Sequence, residues 1–257
     1  LTDVTGVQTC ALPISMPEIS LAAGSEFAAL TAEKTEGESV ADDPPSLHRR
    51  LFLQAILAGR REAAVAIVLE AHKTGHDLRD LYVEIFQKAL YEVGRLWEAN
   101  RITVADEHMA TAITQYVVAR VYERLPVAGE RRGRAVITGV QGELHQVGAN
   151  MVADLLEVDG WDVRFLGTDM PLDGILQMAR EHQANLLGIS ATMLFNLPQV
   201  VQLVERTRTE LGAAAPRIIL GGGAFRRLPE LPAQLKVDAV ATELRQGVEL
   251  ARSLQKY

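Results

Sequence analysis

The chain has 257 residues, of which 48% are hydrophobic, 5% aromatic and 23% charged, with a formal net charge of −7. That length suits two small domains, each able to bury a core. The acidic balance lacks the basic face of a DNA reader, the single cysteine, Cys10, excludes an intramolecular disulfide or a thiolate metal cluster, and no apolar run approaches a membrane span.

The first 46 residues read as a disordered acidic tail closed by Pro44-Pro45. Between residues 16 and 46, seven acidic side chains (Glu18, Glu26, Glu33, Glu36, Glu38, Asp42, Asp43) face one base, Lys34. With Asp3 these account for the whole net charge, so residues 47–257 balance at zero. Residues 1–15 match neither neighbour in texture and are expected to be non-native, with Met16 as the start. They lack the basic and apolar regions of a signal peptide, and a cytoplasmic protein is expected.

From Leu47 to Leu125 there is no strand signal. Four helices fit, near 47–58, 60–74, 77–99 and 104–124, with turns at Gly59, Gly75-His76 and Asn100-Arg101. Leu78, Leu81, Ile85, Ala89, Val93 and Leu96 form one apolar stripe. Thr103, with Asp106 three residues on, reads as the N-cap of the last helix. Residues 47–125 therefore spell a four-helix bundle, and 126–133 an exposed linker.

Beyond the linker, strands near 134–140, 162–167, 186–191, 216–221 and 237–242 alternate with helices near 148–159, 172–184, 197–211, 225–235 and 243–255. Residues 134–257 thus read as an α/β domain: a doubly wound, parallel, five-stranded sheet with helices on both faces and a flavodoxin-like strand order. Ligands of such sheets lie beyond the carboxyl ends of the strands.

At the first of those ends stands Gly142-Glu143-Leu144-His145-Gln146-Val147-Gly148. Glu143, two residues before His145, is close enough to hold one ring nitrogen, which fixes the tautomer and makes the other nitrogen a better metal ligand. Gly148 lets a bulky ligand pass close to the backbone. An ordinary loop histidine paired with its neighbour is the plainer alternative. The third strand ends at Ile189-Ser190-Ala191-Thr192 and the fourth at Gly221-Gly222-Gly223.

Together these three loops resemble the cobalamin-binding domain shared by methionine synthase, the corrinoid mutases and the corrinoid carrier proteins, over about residues 134–256. Its pattern is Asp-x-His-x-x-Gly, then Ser-x-Leu or Ser-x-Thr, then Gly-Gly, and this chain has Glu143 in place of the Asp. The resemblance implies that His145 is the lower axial ligand of cobalt. The displaced base and its nucleotide tail would thread past Gly148, with Ser190 and Thr192 as polar contacts and Gly221 and Gly222 leaving room.

A second cluster lies in the bundle, where Trp97 near the end of the third helix and Glu107-His108 in the first turns of the fourth share one helical hairpin. On spacing alone Trp97 continues an apolar stripe and Glu107 suits a helix N-terminus. The trio is similar to the helical cap of the CarH-type photoreceptors, which use adenosylcobalamin as a light sensor and line the upper cavity with a Trp and, after nine intervening residues, a Glu-His pair. This chain departs in having Glu98 where those repressors have a cobalt-capturing histidine, and no room for their winged helix-turn-helix.

The resemblance implies a cobalamin-binding light sensor, not an enzyme. Adenosylcobalamin, or else methylcobalamin, would be held between cap and sheet domain, and photolysis would drive a conformational or oligomeric change. A homo-oligomer, dimer or tetramer, is expected, with an unidentified downstream protein partner and no direct DNA binding. Two alternatives stand beside it: a photocobilin-like receptor that binds both cobalamin and a noncovalent bilin such as biliverdin, and a corrinoid carrier protein for methyl transfer. No Ser-His-Asp order, Gly-Lys phosphate loop or paired carboxylates suggest turnover of a substrate.

Overall fold

A computed structural model describes residues 47–126, 129–228 and 235–255. The expected acidic tail and Cys10 lie outside the described residues.

Four helices come first: α1 (Leu47–Leu57), α2 (Arg61–Lys73), α3 and α4 (Val104–Tyr122). The third, α3, runs through Leu78–Leu81, a π-helical turn Tyr82–Gln87, and Lys88–Glu98. The whole stripe from Leu78 to Leu96 is buried, and Phe86 anchors the bundle core with Phe52 and Tyr82 at ring-centroid distances of 5.4 Å each. Each such side chain taken fully out of water contributes roughly 1.5–3 kcal/mol. Thr103 and Asp106 form a reciprocal cap on α4: the Thr103 hydroxyl accepts from the Asp106 amide at 3.2 Å, and the Asp106 carboxylate accepts from the Thr103 amide at 2.9 Å.

The π-helical turn was not anticipated, yet the stripe contains its trace. From Leu81 to Ile85, Ala89 and Val93 the apolar spacing is four residues three times running. A regular helix of 3.6 residues per turn would carry such a row about 120° around its axis. The wider turn absorbs that drift and keeps the row on one face.

The second half alternates β1 (Gly133–Gly139), α5 (Val147–Val158), β2 (Trp161–Phe165), α6 (Leu172–Glu181), β3 (Leu186–Ser190), α7 (Leu197–Leu211), β4 (Arg217–Gly221), α8 (Gly223–Arg227), β5 (Ala239–Ala241) and α9 (Leu244–Ser253). The five strands are all parallel, in the order β2-β1-β3-β4-β5, the flavodoxin-like arrangement expected. Alternate residues of β1 sort the core into two layers. Val136 packs with Ile175 of α6, Leu203 of α7 and Phe225 of α8, whereas Ala135 and Ile137 pack with Leu156 of α5 and Ala251 of α9.

One helix falls short of expectation. Where a helix was expected over 225–235, α8 ends at Arg227, and Leu228 is extended at φ −85°, ψ 126°. Pro229 follows, and the proline ring disfavours helical backbone at the residue before it.

The bundle docks on the sheet domain through α3 and α4. Gln87 Oε1 accepts the backbone N–H of Leu244 at 2.7 Å, and the Tyr91 hydroxyl donates to the Thr242 carbonyl at 3.2 Å. The guanidinium of Arg226 lies 3.8 Å from the centre of the Tyr91 ring, and Asp80 pairs with Arg245 at 2.8 Å. No helix among the described residues is long and apolar enough to cross a membrane.

Candidate functional site

Strand register gathers the separate loops of the sequence motif. Gly139 of β1 is level with Ser190 of β3, Ser190 with Gly221 of β4, and Gly221 with Ala241 of β5. This row is the carboxyl edge of the sheet. Beyond it the chain turns at Gly142, whose φ of +84° suits a residue without a side chain. The Gly142 amide is fixed by a 2.8 Å bond to Asp169 Oδ1, and the loop then presents Glu143 and His145 before α5 begins.

Glu143 is completely buried. Its Oε1 accepts from His145 Nδ1 at 2.6 Å and from the His145 backbone N–H at 2.9 Å. Its Oε2 accepts from the Thr192 N–H at 2.7 Å, the Met193 N–H at 3.4 Å and Asn196 Nδ2 at 3.0 Å. A buried carboxylate is tolerable only with such a set of donors. Because the carboxylate can only accept, the shared proton sits on Nδ1, so in the neutral ring the lone pair is on Nε2. The His145 side chain is 47% exposed.

The electrostatics reinforce the geometry. Burial pushes the Glu143 carboxyl up, but the hydrogen bonds from His145, Thr192 and Asn196 outweigh it and hold the group at about 2. His145 is shifted above its ordinary value, first by the bond to Glu143, against the opposing effect of burial, with Glu107 of the bundle adding to the pull.

Among the other residues singled out by the motif, Thr192 reaches Glu143 through its backbone N–H, and Ser190 ends β3 in the edge row. A Cβ on Gly148 would meet nothing within 4 Å, so the approach past the start of α5 is open. Gly222 answers a different need. At φ +103°, a Cβ there would lie 2.4 Å from the Ala191 carbonyl oxygen, which accepts the Ala224 amide at 3.1 Å. The absent side chain lets β3's following loop and α8 close together.

Leu144, next to His145 in the chain, is 76% exposed, and Leu194 and Phe195, just before Asn196, are exposed at 45% and 69%. Trp97 closes α3 at 40% exposure, although the stripe beside it is buried. Glu107 bonds the Thr111 hydroxyl at 2.8 Å and His108 Nδ1 at 2.5 Å, and His108 is largely exposed.

Asn196 was missed from the sequence. Asn196-Leu197-Pro198 marks a helix start beyond β3, with proline in the first turn of α7, which places the residue at the correct edge. Its side chain caps no helix. Instead it donates to Glu143 and, at 3.4 Å, to the Gly142 carbonyl, a long-range partnership that local spacing does not encode.

Chemically the arrangement offers one well-oriented imidazole nitrogen. Among the described residues no group of three or more His, Cys, Asp or Glu is placed to hold a metal ion. A single nitrogen beside an exposed apolar surface fits a metal whose other ligands come from a flat macrocycle.

Residues 49–122 match one family model described as a B12 binding domain, and residues 133–251 match a second of the same description. A corrinoid protein of Desulfitobacterium hafniense is 23% identical over 205 residues, covering 78% of this chain and 94% of its own. Dimethylamine corrinoid protein 1 of Methanosarcina acetivorans is 25% identical, covering 65% and 79%, and trimethylamine corrinoid protein 1 of Methanosarcina mazei 27%, covering 63% and 76%. The solved monomethylamine corrinoid protein of Methanosarcina barkeri shares the fold, with a TM-score of 0.71 at 20% identity over 79% of this chain and 96% of that one. Two successive parts of the chain thus match models described as B12 binding domains, the first helical and the second built on a parallel sheet.

Proposed function

We propose that this protein is a corrinoid carrier that would hold cobalamin between the helical domain and the carboxyl edge of the sheet, with His145 as the residue that would hold the cobalt, and that it passes a methyl group between methyltransferase partners. The observation that carries the reading is the Glu143–His145 pair, in which a buried carboxylate occupies Nδ1 and leaves Nε2 as the one oriented donor. The carrier role draws support from relatives named for dimethylamine and trimethylamine, compounds whose exchangeable group is methyl.

When bound, the cobalt supplies the atom that takes up and gives up that methyl group. The chain's own residues position and shield it. Glu143 keeps the proton on Nδ1 and raises the basicity of Nε2, while Asn196, Thr192 and Met193 keep Glu143 ionised. Leu144 and Phe195 offer apolar contact to a macrocycle, and Gly148, Ser190, Thr192, Gly221 and Gly222 are the residues assigned to the base and tail. Trp97, Glu107 and His108 belong to the bundle above.

A light-sensing role with adenosylcobalamin is the second reading, favoured by one observation: Trp97 is left half-exposed at the hairpin that carries Glu107 and His108. The bilin variant gains no support from the geometry or the relatives. The deciding experiment loads the full chain in the dark with methylcobalamin and, separately, with adenosylcobalamin. The carrier reading predicts that a corrinoid-dependent methyltransferase removes the methyl group with a change in visible spectrum. It also predicts that green light leaves the oligomer size of the adenosylcobalamin form unchanged. A light-driven change in size without methyl transfer would overturn it.

A further inference from the structure

The two domains are joined at both ends of the π-helical turn of α3. At its start the Tyr82 hydroxyl donates to Asp154 Oδ2 at 3.0 Å, and Asn150 Nδ2 lies 3.4 Å from the same oxygen. At its end the Gln87 side chain accepts the N–H of Leu244, the first residue of α9, at 2.7 Å. Glu243, the residue before that helix, makes no side-chain cap of its own, so the bundle supplies it. Tyr82, Gln87 and Asp154 are all buried. Both bonds cross between domains, but only the first contains a group that titrates near neutrality.

We propose that the Tyr82–Gln87 turn is the pivot on which the helical domain opens from the sheet domain, and that the Asp154 carboxyl, buried beside Tyr82 at its start, is a proton-operated latch across it, which acid tightens by neutralising the buried group. Wider helical turns inserted into α-helices occur often at functional positions, and this one bears both buried cross-domain bonds.

The sign follows from the surroundings of Asp154. Burial pushes its carboxyl up to about 6; the Tyr82 hydroxyl opposes the rise and the Glu157 charge adds to it. The docked form therefore holds the proton more tightly than a separated, hydrated form with the ordinary value of 3.8. Docking is strongest below that ordinary value and weakens as pH rises through the value in the docked state. Between pH 5 and 7.5 the docked-to-open ratio should fall about tenfold.

The other charged and titratable groups on the elements packed here are held in pairs of their own. Glu157, one turn on along α5, accepts the Tyr122 hydroxyl of α4, and that phenol is pushed up to about 12. Tyr82 of α3 is also shifted upward by burial. Arg252 of α9 pairs with Asp159, the residue that caps the end of α5, and Arg245 of α9 with Asp80 of α3.

Amide hydrogen exchange on the cofactor-free full chain tests the latch without reference to cobalamin, so its failure is separate from failure of the carrier reading. After correction for the intrinsic pH dependence of exchange, amides within 82–87 and 150–157 should be about tenfold better protected at pH 5 than at pH 7.5. Asp154→Asn should abolish the difference and give acid-like protection at both pH values. Tyr82→Phe keeps the carboxyl but loses its donor, so the midpoint should move up. A wild-type difference that is missing, or that persists unchanged in Asp154→Asn, or a midpoint unmoved in Tyr82→Phe, would overturn the latch.

Discussion

Asn196 Nδ2 donates to Glu143 Oε2 across 3.0 Å, between two side chains that are both buried. The contact joins the loop after β3 to the loop after β1, and through Glu143 it reaches the imidazole. Asn196→Ala would leave Oε2 with only the backbone donors of Thr192 and Met193, at a cost of about 1–3 kcal/mol in denaturant unfolding. Cobalamin affinity should fall about tenfold or more, the effect typical of losing support behind a ligating histidine. Asn196→Asp should be worse than alanine at pH 7, because two adjacent buried carboxylates cannot both ionise; the reverse order would contradict this role.

The pH dependence of stability should divide in two. The Glu143 carboxyl sits at about 2 when folded, against an ordinary 4.5. Its contribution, roughly 3 kcal/mol by linkage, is complete above the ordinary value and is lost as pH falls through the folded one. His145 is raised, so its contribution is complete below its ordinary 6.5 and fades as pH climbs through the raised value. Urea unfolding of Glu143→Gln should show a lower stability at pH 7 and a flatter profile between pH 2 and 4.5 than the unaltered protein. Parallel profiles would show that this carboxylate is not the group titrating.

Gly222→Ala should be destabilising far beyond an ordinary surface change. The new methyl would meet the Ala191 carbonyl oxygen at 2.4 Å in a backbone of φ +103°, so a loss of about 2 kcal/mol or more is expected. Because the clash is with backbone, Gly222→Ser should do no better. Equal denaturation midpoints for variant and parent would contradict the packing described.

Much of the architecture is legible because buried parallel strands leave dense signatures: Ala135 to Val140 and Arg217 to Leu220 can scarcely be anything else. The edge row of Gly139, Ser190 and Gly221 is implicit in the same runs, since parallel register levels the strand ends. Local reading fails where distant parts meet. Asn196 looks like a helix cap and serves Glu143; Trp97 looks like core and is half-exposed. The turn at Tyr82–Gln87 is written in the four-residue spacing of the stripe, but its purpose depends on Asp154 and Leu244, 72 and 157 residues from their partners.

The central claim is that one nitrogen of this chain reaches cobalt. The measurement is titration of His145→Ala with hydroxocobalamin or methylcobalamin in the dark, following the visible spectrum and the bound fraction after gel filtration. The account predicts a loss of at least tenfold in affinity, a spectrum without protein imidazole coordination, and partial recovery when free imidazole is added. Undiminished binding with the spectrum of the unaltered protein would contradict it.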